Sequence, residues 1–196
     1  LILYGDVPLV SADTMRRIEG VEAVGRTGIG VATDNASNTG FLVPGRPDPV
    51  SIGFYRVDTG FKDAVGLKLL AGRWFEEGRV MDDSTLPFPV DPAAEQAFAD
   101  RGTNIVITRL AAERLGFKNP ADAIGKTFRA GYVQTEEGSV PSTIVGVVAD
   151  ARFRSVREPL QPMSFLNADS GHTTLVIRYK GDPAAVRDRV EKAWKS

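Results

Sequence analysis

Gly125-Lys126-Thr127 has the residue types that close a phosphate-binding loop. That loop needs a glycine five residues before the one preceding the lysine, and the position is Pro120. A Gly-Lys pair that stops a short helix and starts a strand is the better reading. Gly25-Arg26-Thr27-Gly28-Ile29-Gly30 is glycine-rich but lacks dinucleotide spacing, and no helical pattern follows it. Glycines within a strand mark bulges or close backbone packing. Glu76-Glu77 and Asp82-Asp83 could serve acid–base chemistry or hold calcium. Neither cluster has the alternating oxygen-ligand spacing of a calcium loop, so a solvated surface loop is expected for both. His172, in Asp169-Ser170-Gly171-His172, has no G-x-S-x-G elbow to serve and reads as a turn residue. Arg152, Arg154 and Arg157 form a modest basic patch with one aromatic, Phe153, and read as a salt-bridged loop.

Composition narrows the chemistry further. The 196 residues contain no Cys and one His, with a formal net charge of -1. Thiolate nucleophiles, disulfides, Cys-based zinc sites and His-rich metal clusters are therefore excluded. The near-neutral balance argues against a generic nucleic-acid or anionic-membrane binder. We expect no catalytic, cofactor-binding or metal-ligating residues, no cofactor, and a protein that is not an enzyme. No signal peptide is visible, and the longest apolar run, 144–149, is of strand length rather than the roughly 18 residues of a membrane span. The abrupt start at Leu1-Ile2-Leu3-Tyr4 and the stop at Lys195-Ser196 read as an excised piece of a longer protein.

The elements that must position these residues follow from periodicity and punctuation. Strands are expected at 1–4, 21–32, 50–57, 67–70, 104–107, 126–133, 143–148, 163–166 and 175–179. Helices are expected from Ser11 to Gly20, at 61–65, from Asp91-Pro92 with Ala93, Ala97 and Phe98 on one face, from the Thr108 cap to Gly116, at Asn119-Pro120, and from Asp182-Pro183 with Val186, Val190, Ala193 and Trp194 buried. The stretch from Met81 to Gly102 is Pro-rich and its structure is left open. Together these define an α+β sandwich, with helices on one face of a mainly antiparallel sheet and a second subdomain inserted in the middle.

Ordered segments then carry a resemblance. Val57-Asp58-Thr59-Gly60-Phe61 precedes the stretch Gly66 to Phe75, with Gly72-Arg73-Trp74-Phe75 at its end. Asn104 to Thr108, Ala111-Ala112, Arg114-Leu115-Gly116, Asn119-Pro120, Ile124-Gly125-Lys126, Thr143 to Asp150, Arg157 to Pro162 and Leu175 to Arg178 follow in order. The set, over roughly residues 57 to 194, resembles the MacB-like periplasmic core domain of FtsX-like ABC-transporter permeases. Gly20-Val21-Glu22-Ala23-Val24 is similar in character to the family's earlier part. Two departures stand out: the aromatic expected before Gly116 is Leu115, with Phe117 after it, and the segment Met81 to Gly102 is longer than the family pattern.

The resemblance implies an extracytoplasmic domain between two membrane helices of a permease in the cell (inner) membrane. It implies a porter-like α/β sandwich subdomain built from both chain ends, 1–73 plus 165–196, and an inserted β-rich, Sabre-like subdomain, 74–164. It implies no catalysis by the domain, but relay of ATP-driven motion to substrates or partner proteins, in export, efflux or lipoprotein handling. Implied partners are a second permease copy, a cytoplasmic ATP-binding subunit, and a periplasmic adaptor or substrate protein, with no nucleic acid. Such a relay would place Leu1 and Ser196 at the same end. The alternatives are a stand-alone periplasmic binding or adaptor module, and an enzyme using Asp82 or His172 in a converging cleft.

Overall fold

A computed structural model describes residues 2–4, 12–29, 37–87, 89–133, 138–153 and 159–194. The elements run β1 (Ile2–Tyr4), α1 (Ala12–Arg16), β2 (Val21–Thr27), β3 (Asn38–Leu42), β4 (Val50–Val57), α2 (Phe61–Val65), β5 (Leu69–Gly72), α3 (Pro92–Arg101), β6 (Thr103–Thr108), α4 (Arg109–Arg114), β7 (Thr127–Ala130), β8 (Val140–Val148), β9 (Met163–Asn167), β10 (Thr174–Tyr179) and α5 (Pro183–Trp194). Short 3-10 turns lie at Val80–Asp82 and Pro120–Ala123.

Six of the strands close on themselves. β4 pairs with β3, β3 with β7, β7 with β8, β8 with β6, β6 with β9, and β9 returns to β4. The β6–β8 and β4–β9 contacts are parallel and the other four antiparallel. The sheet is thus mainly antiparallel, as expected, with two parallel contacts built into the ring. β4 shows how sequence builds the ring. Ile52 and Phe54 face a core shared with Phe41, Ile105, Ile107, Phe128, Ala130, Ile144 and Leu166. Tyr55 and Val57, of opposite parity, face a second core outside the ring. A strand buried on both faces loses the polar alternation of a half-buried one.

The remaining sheet carries the chain ends. β1 pairs with β10 and β10 with β2, both antiparallel. Leu175, Ile177 and Val24 pack with Met15 of α1 and with Val186 and Val190 of α5. Val176 and Ala23 face the other way, into the core that holds Phe61 and Ala64 of α2. Helices thus cover both faces of this sheet, not one. Leu1 and Ser196 lie outside the described residues.

Local chemistry accounts for the element ends. Gly66 takes a φ of 73° after α2, and Leu67 N–H bonds to Lys62 O at 2.9 Å. Leu67 is thereby used in the helix stop, so β5 begins at Leu69, two residues later than expected. Asp91 caps α3 by accepting from Ala93 N–H at 3.0 Å, and Thr108 caps α4 by accepting from Ala111 N–H at 3.4 Å. Three expectations are corrected. α1 spans only Ala12–Arg16 among the described residues, because turn bonds Arg17 N–H to Thr14 O and Val21 N–H to Ile18 O end it early. β2 stops at Thr27, where Gly28 N–H turns to Arg56 O at 2.9 Å, and residues 30–36 lie outside the described set. On α3 the buried residues are Phe98 and Ala99, while Ala93 and Ala97 are exposed, because only the last turn meets the ring. Pairing also crosses the expected cut at 73/74: β3 and β4 precede it, yet bond to β7 and β9.

Candidate functional site

The structure disperses the residues that could have done chemistry. Gly125 ends the 3-10 turn and leads into β7, as the sequence suggested. Its N–H bonds to Ile144 O and Lys126 N–H bonds to Ala123 O, so neither is free to cradle a phosphate. Gly25 is a close-packing glycine: a Cβ there would lie 2.7 Å from Phe61 N, where α2 lies directly on β2. Glu76 pairs with exposed Arg79 at 2.6 Å, and Glu77 accepts from Thr59 Oγ1 at 3.2 Å. Arg154 and Arg157 lie outside the described residues. Asp150 accepts from Leu110 N–H at 2.7 Å and pairs with Arg109 at 2.9 Å, tying the end of β8 to α4.

Asp82 is the correction among the carboxylates. It is fully buried rather than solvated. Its oxygens accept from Arg73 Nη1 at 2.6 Å and Nη2 at 2.8 Å, from Asn104 Nδ2 at 2.7 Å and from Glu76 N–H at 2.9 Å. Burial pushes its carboxyl up, but those hydrogen bonds outweigh burial and hold it below the usual carboxylate range. The sequence signal for this was the Gly72-Arg73 segment, whose guanidinium can grip a carboxylate with two parallel bonds. With every acceptor direction occupied by donors, Asp82 fastens the 73–82 loop to β6. Among the described residues no three metal-ligating side chains converge.

The place where several functional features do meet is the seam between the terminal sheet and the ring. The β2–β4 contact there is one residue pair, Thr27 with Val57. It is flanked by Gly28 N–H to Arg56 O at 2.9 Å and Asp58 N–H to Arg26 O at 3.1 Å. Asp58, 3% exposed, accepts from Arg26 N–H and from Arg26 Nε, both at 2.9 Å. His172 sits in the turn before β10, as expected for a turn residue, but it is not free in solvent. Neither ring nitrogen has a hydrogen-bond partner among the described residues. Burial, with the Arg26 charge, lowers its pKa from 6.5 to about 4, against the opposing pull of Asp58, Asp169 and the Val57 backbone, whose contact with the imidazole falls short of a well-formed hydrogen bond. Asn167 Oδ1 and Thr174 Oγ1, at the ends of β9 and β10, are likewise buried without partners. Each such group costs on the order of 1–3 kcal/mol, so strand bonding alone leaves this seam weak.

Apolar packing compensates. Phe61, Phe165, Phe153, Tyr55 and Trp74 interlock, with centroids of Phe61 and Phe165 6.2 Å apart and of Trp74 and Phe165 5.7 Å apart. Trp74 Nε1–H bonds to Thr59 O at 3.0 Å. Val176 of the terminal sheet and Val148 and Phe165 of the ring belong to this one cluster. The geometry holds two β units together and offers no assembled reaction centre among the described residues.

A narrow strand seam, an aromatic clamp and two differently built β units make up a mixed α/β domain. The sequence profile of the MacB-like periplasmic core domain matches residues 4–193. The chain belongs to that family, and is a MacB-like periplasmic domain. Its fold is similar to the periplasmic region of MacB from Actinobacillus actinomycetemcomitans, at 13% identity and TM-score 0.56, covering 99% of this chain and 81% of that one. It is similar to the extracellular domain of the noncanonic ABC-type transporter YknZ from Gram-positive bacteria, at 14% identity and TM-score 0.56, covering 99% and 89%. A domain of a putative permease protein from Porphyromonas gingivalis matches at 18% identity and TM-score 0.52, covering 98% and 76%. No curated protein matches the sequence. No helix among the described residues is long and apolar enough to cross a membrane.

Proposed function

We propose that the chain is a rigid relay: the extracytoplasmic domain of an ABC-transporter permease that carries ATP-driven motion from the membrane to a substrate or partner protein. The observation that carries this reading is the continuous apolar cluster from Val176, through Phe61, to Phe165 and Val148. A displacement of the terminal sheet meets the ring wall through close-packed side chains, which deform little. The two working units are the terminal sheet with α1, α2 and α5, and the ring with α3 and α4. This assigns 38–57 to the ring side, so the first boundary moves from 73 to between β2 and β3, and the chain crosses back after Val57 to place α2 on the terminal sheet. The first unit is the porter-like one and the second the Sabre-like one. On this reading the partners are a second permease copy, a cytoplasmic ATP-binding subunit and a periplasmic adaptor or substrate protein. The domain holds no catalytic role and takes no cofactor.

The test uses the parent permease. Phe165→Leu keeps the volume nearly filled, at a cost of about 1 kcal/mol, but loosens the clamp. The expected result is retained ATP hydrolysis with fewer substrate molecules moved per ATP. An unchanged coupling ratio would count against the relay. A stand-alone binding module is the competing reading, and a parent gene lacking flanking apolar runs of about 20 residues would favour it.

A further inference from the structure

The mouth of the ring holds an open cavity of about 510 Å³, within the range typical of small-molecule sites. Arg56 follows Phe54 by two residues on β4, so it points from the ring's inner face into this mouth, beside Tyr132 and beneath the segment leading into α3. Tyr132 closes the floor. Its hydroxyl donates to Ser164 Oγ at 3.0 Å, since Ser164 spends its own proton on Gly53 O at 3.2 Å. The Arg56 guanidinium makes no hydrogen bond or ion pair with any described residue, although burial lowers its pKa. Glu95, on the first turns of α3, faces the same cavity and is also without an ion pair among the described residues. Leu86, Val90 and Val133 supply an apolar wall.

One cation and one anion share a cavity yet do not reach each other. Arg56 is half-buried and feels Glu95 and Tyr132 only at a distance, and arginine grips carboxylates with paired, charge-assisted bonds. We propose that this mouth binds a small zwitterion with an apolar group, such as an aromatic or branched α-amino acid. Its carboxylate bonds to Arg56, its ammonium faces Glu95, and its side chain lies on Leu86, Val90 and Val133. The proposal does not rest on the relay reading, because binding is read on this chain alone.

The test is a titration of the full 196-residue chain with L-phenylalanine, followed by amide chemical shifts in ¹⁵N-labelled protein. N-acetyl-L-phenylalanine and L-phenylalaninamide are the blocked probes. We expect saturable shifts at Val133, Ala168 and Gly171, and binding of each blocked probe weaker by about tenfold, the loss of one charge-assisted contact. Arg56→Gln removes the preference for the free carboxylate only, and Glu95→Gln removes the preference for the free amine only. These selective losses separate a binding role from a folding defect. No saturable shift at millimolar L-phenylalanine would overturn the site. So would equal binding of all three probes, or variants that keep both preferences.

Discussion

Asp82→Ala removes the acceptor on which four donors converge: Arg73 Nη1 and Nη2, Asn104 Nδ2 and Glu76 N–H. Breaking a buried ion pair from one side costs about 3–5 kcal/mol, because the remaining charge stays without a partner. Arg73 keeps 28% side-chain exposure and can regain some water. The lower end, about 3 kcal/mol, is therefore expected, corresponding to a Tm lower by about 6–12 °C for a domain of this size. Chemical denaturation and calorimetry of wild type, Asp82→Ala, Arg73→Met and the double variant complete a cycle. The double variant should be more stable than the sum of single losses implies, with a coupling of at least about 1 kcal/mol. The pH dependence has a fixed sign. The folded carboxyl lies below its usual value of 3.8, so its stabilisation is fully present above that value and is lost as pH falls through the depressed one. A cost under about 1 kcal/mol, or a cycle with no coupling, would refute the role assigned to Asp82.

His172 gives a second pH dependence, at higher pH. Its folded pKa of about 4 lies below the unfolded 6.5, so the unfolded chain binds the extra proton and stability falls as pH drops through that window. Each unit of depression is worth about 1.4 kcal/mol, and His172→Gln should flatten the stability profile between pH 6.5 and 4 in denaturation series. Gly25→Ala forces a methyl against the α2 backbone at Phe61 and should cost at least about 1–3 kcal/mol in equilibrium unfolding, whereas an unchanged midpoint would remove the close approach from the account. Arg56→Met should change stability by less than about 1 kcal/mol in either direction, since the half-buried guanidinium opens on the ring-mouth cavity and makes no ion pair with a described residue. A larger loss of stability there would mean that Arg56 has a structural partner.

Features set by local rules were legible in the residues themselves. The α2 span with its Gly66 stop, the Asp91 and Thr108 caps, and the β8 apolar run all follow from neighbours within a few positions. Ring closure does not. Gly53 to Val57 lies parallel to Met163 to Asn167, and no local pattern in either segment names the other. In β4, Val50, Ile52 and Phe54 alternate with Ser51 and Gly53 as in a half-buried strand, and only Tyr55 and Val57 break that alternation, too short a stretch to announce the second core. Asp82 read as solvated because its burial depends on Arg73 and Asn104, which are brought to it by β5 and β6. His172 read as a turn residue, and its burial arises from tertiary packing at the seam. Arg56 did carry a signal: it continues the inward series Ile52, Phe54 where an apolar residue would normally stand.

The relay is tested most directly by distances in the parent permease. The 196-residue chain has no native Cys, so spin labels can be placed on this domain free of native thiols. With labels at the exposed positions Lys126 and Lys192, on the ring side and on α5, pulsed dipolar spectroscopy can compare nucleotide-free and ATP-bound states. The account predicts an unchanged distance between the two labels within one domain, and a shifted distance between Lys126 labels on the two permease copies. A domain that deforms internally while the copies keep their separation would contradict it.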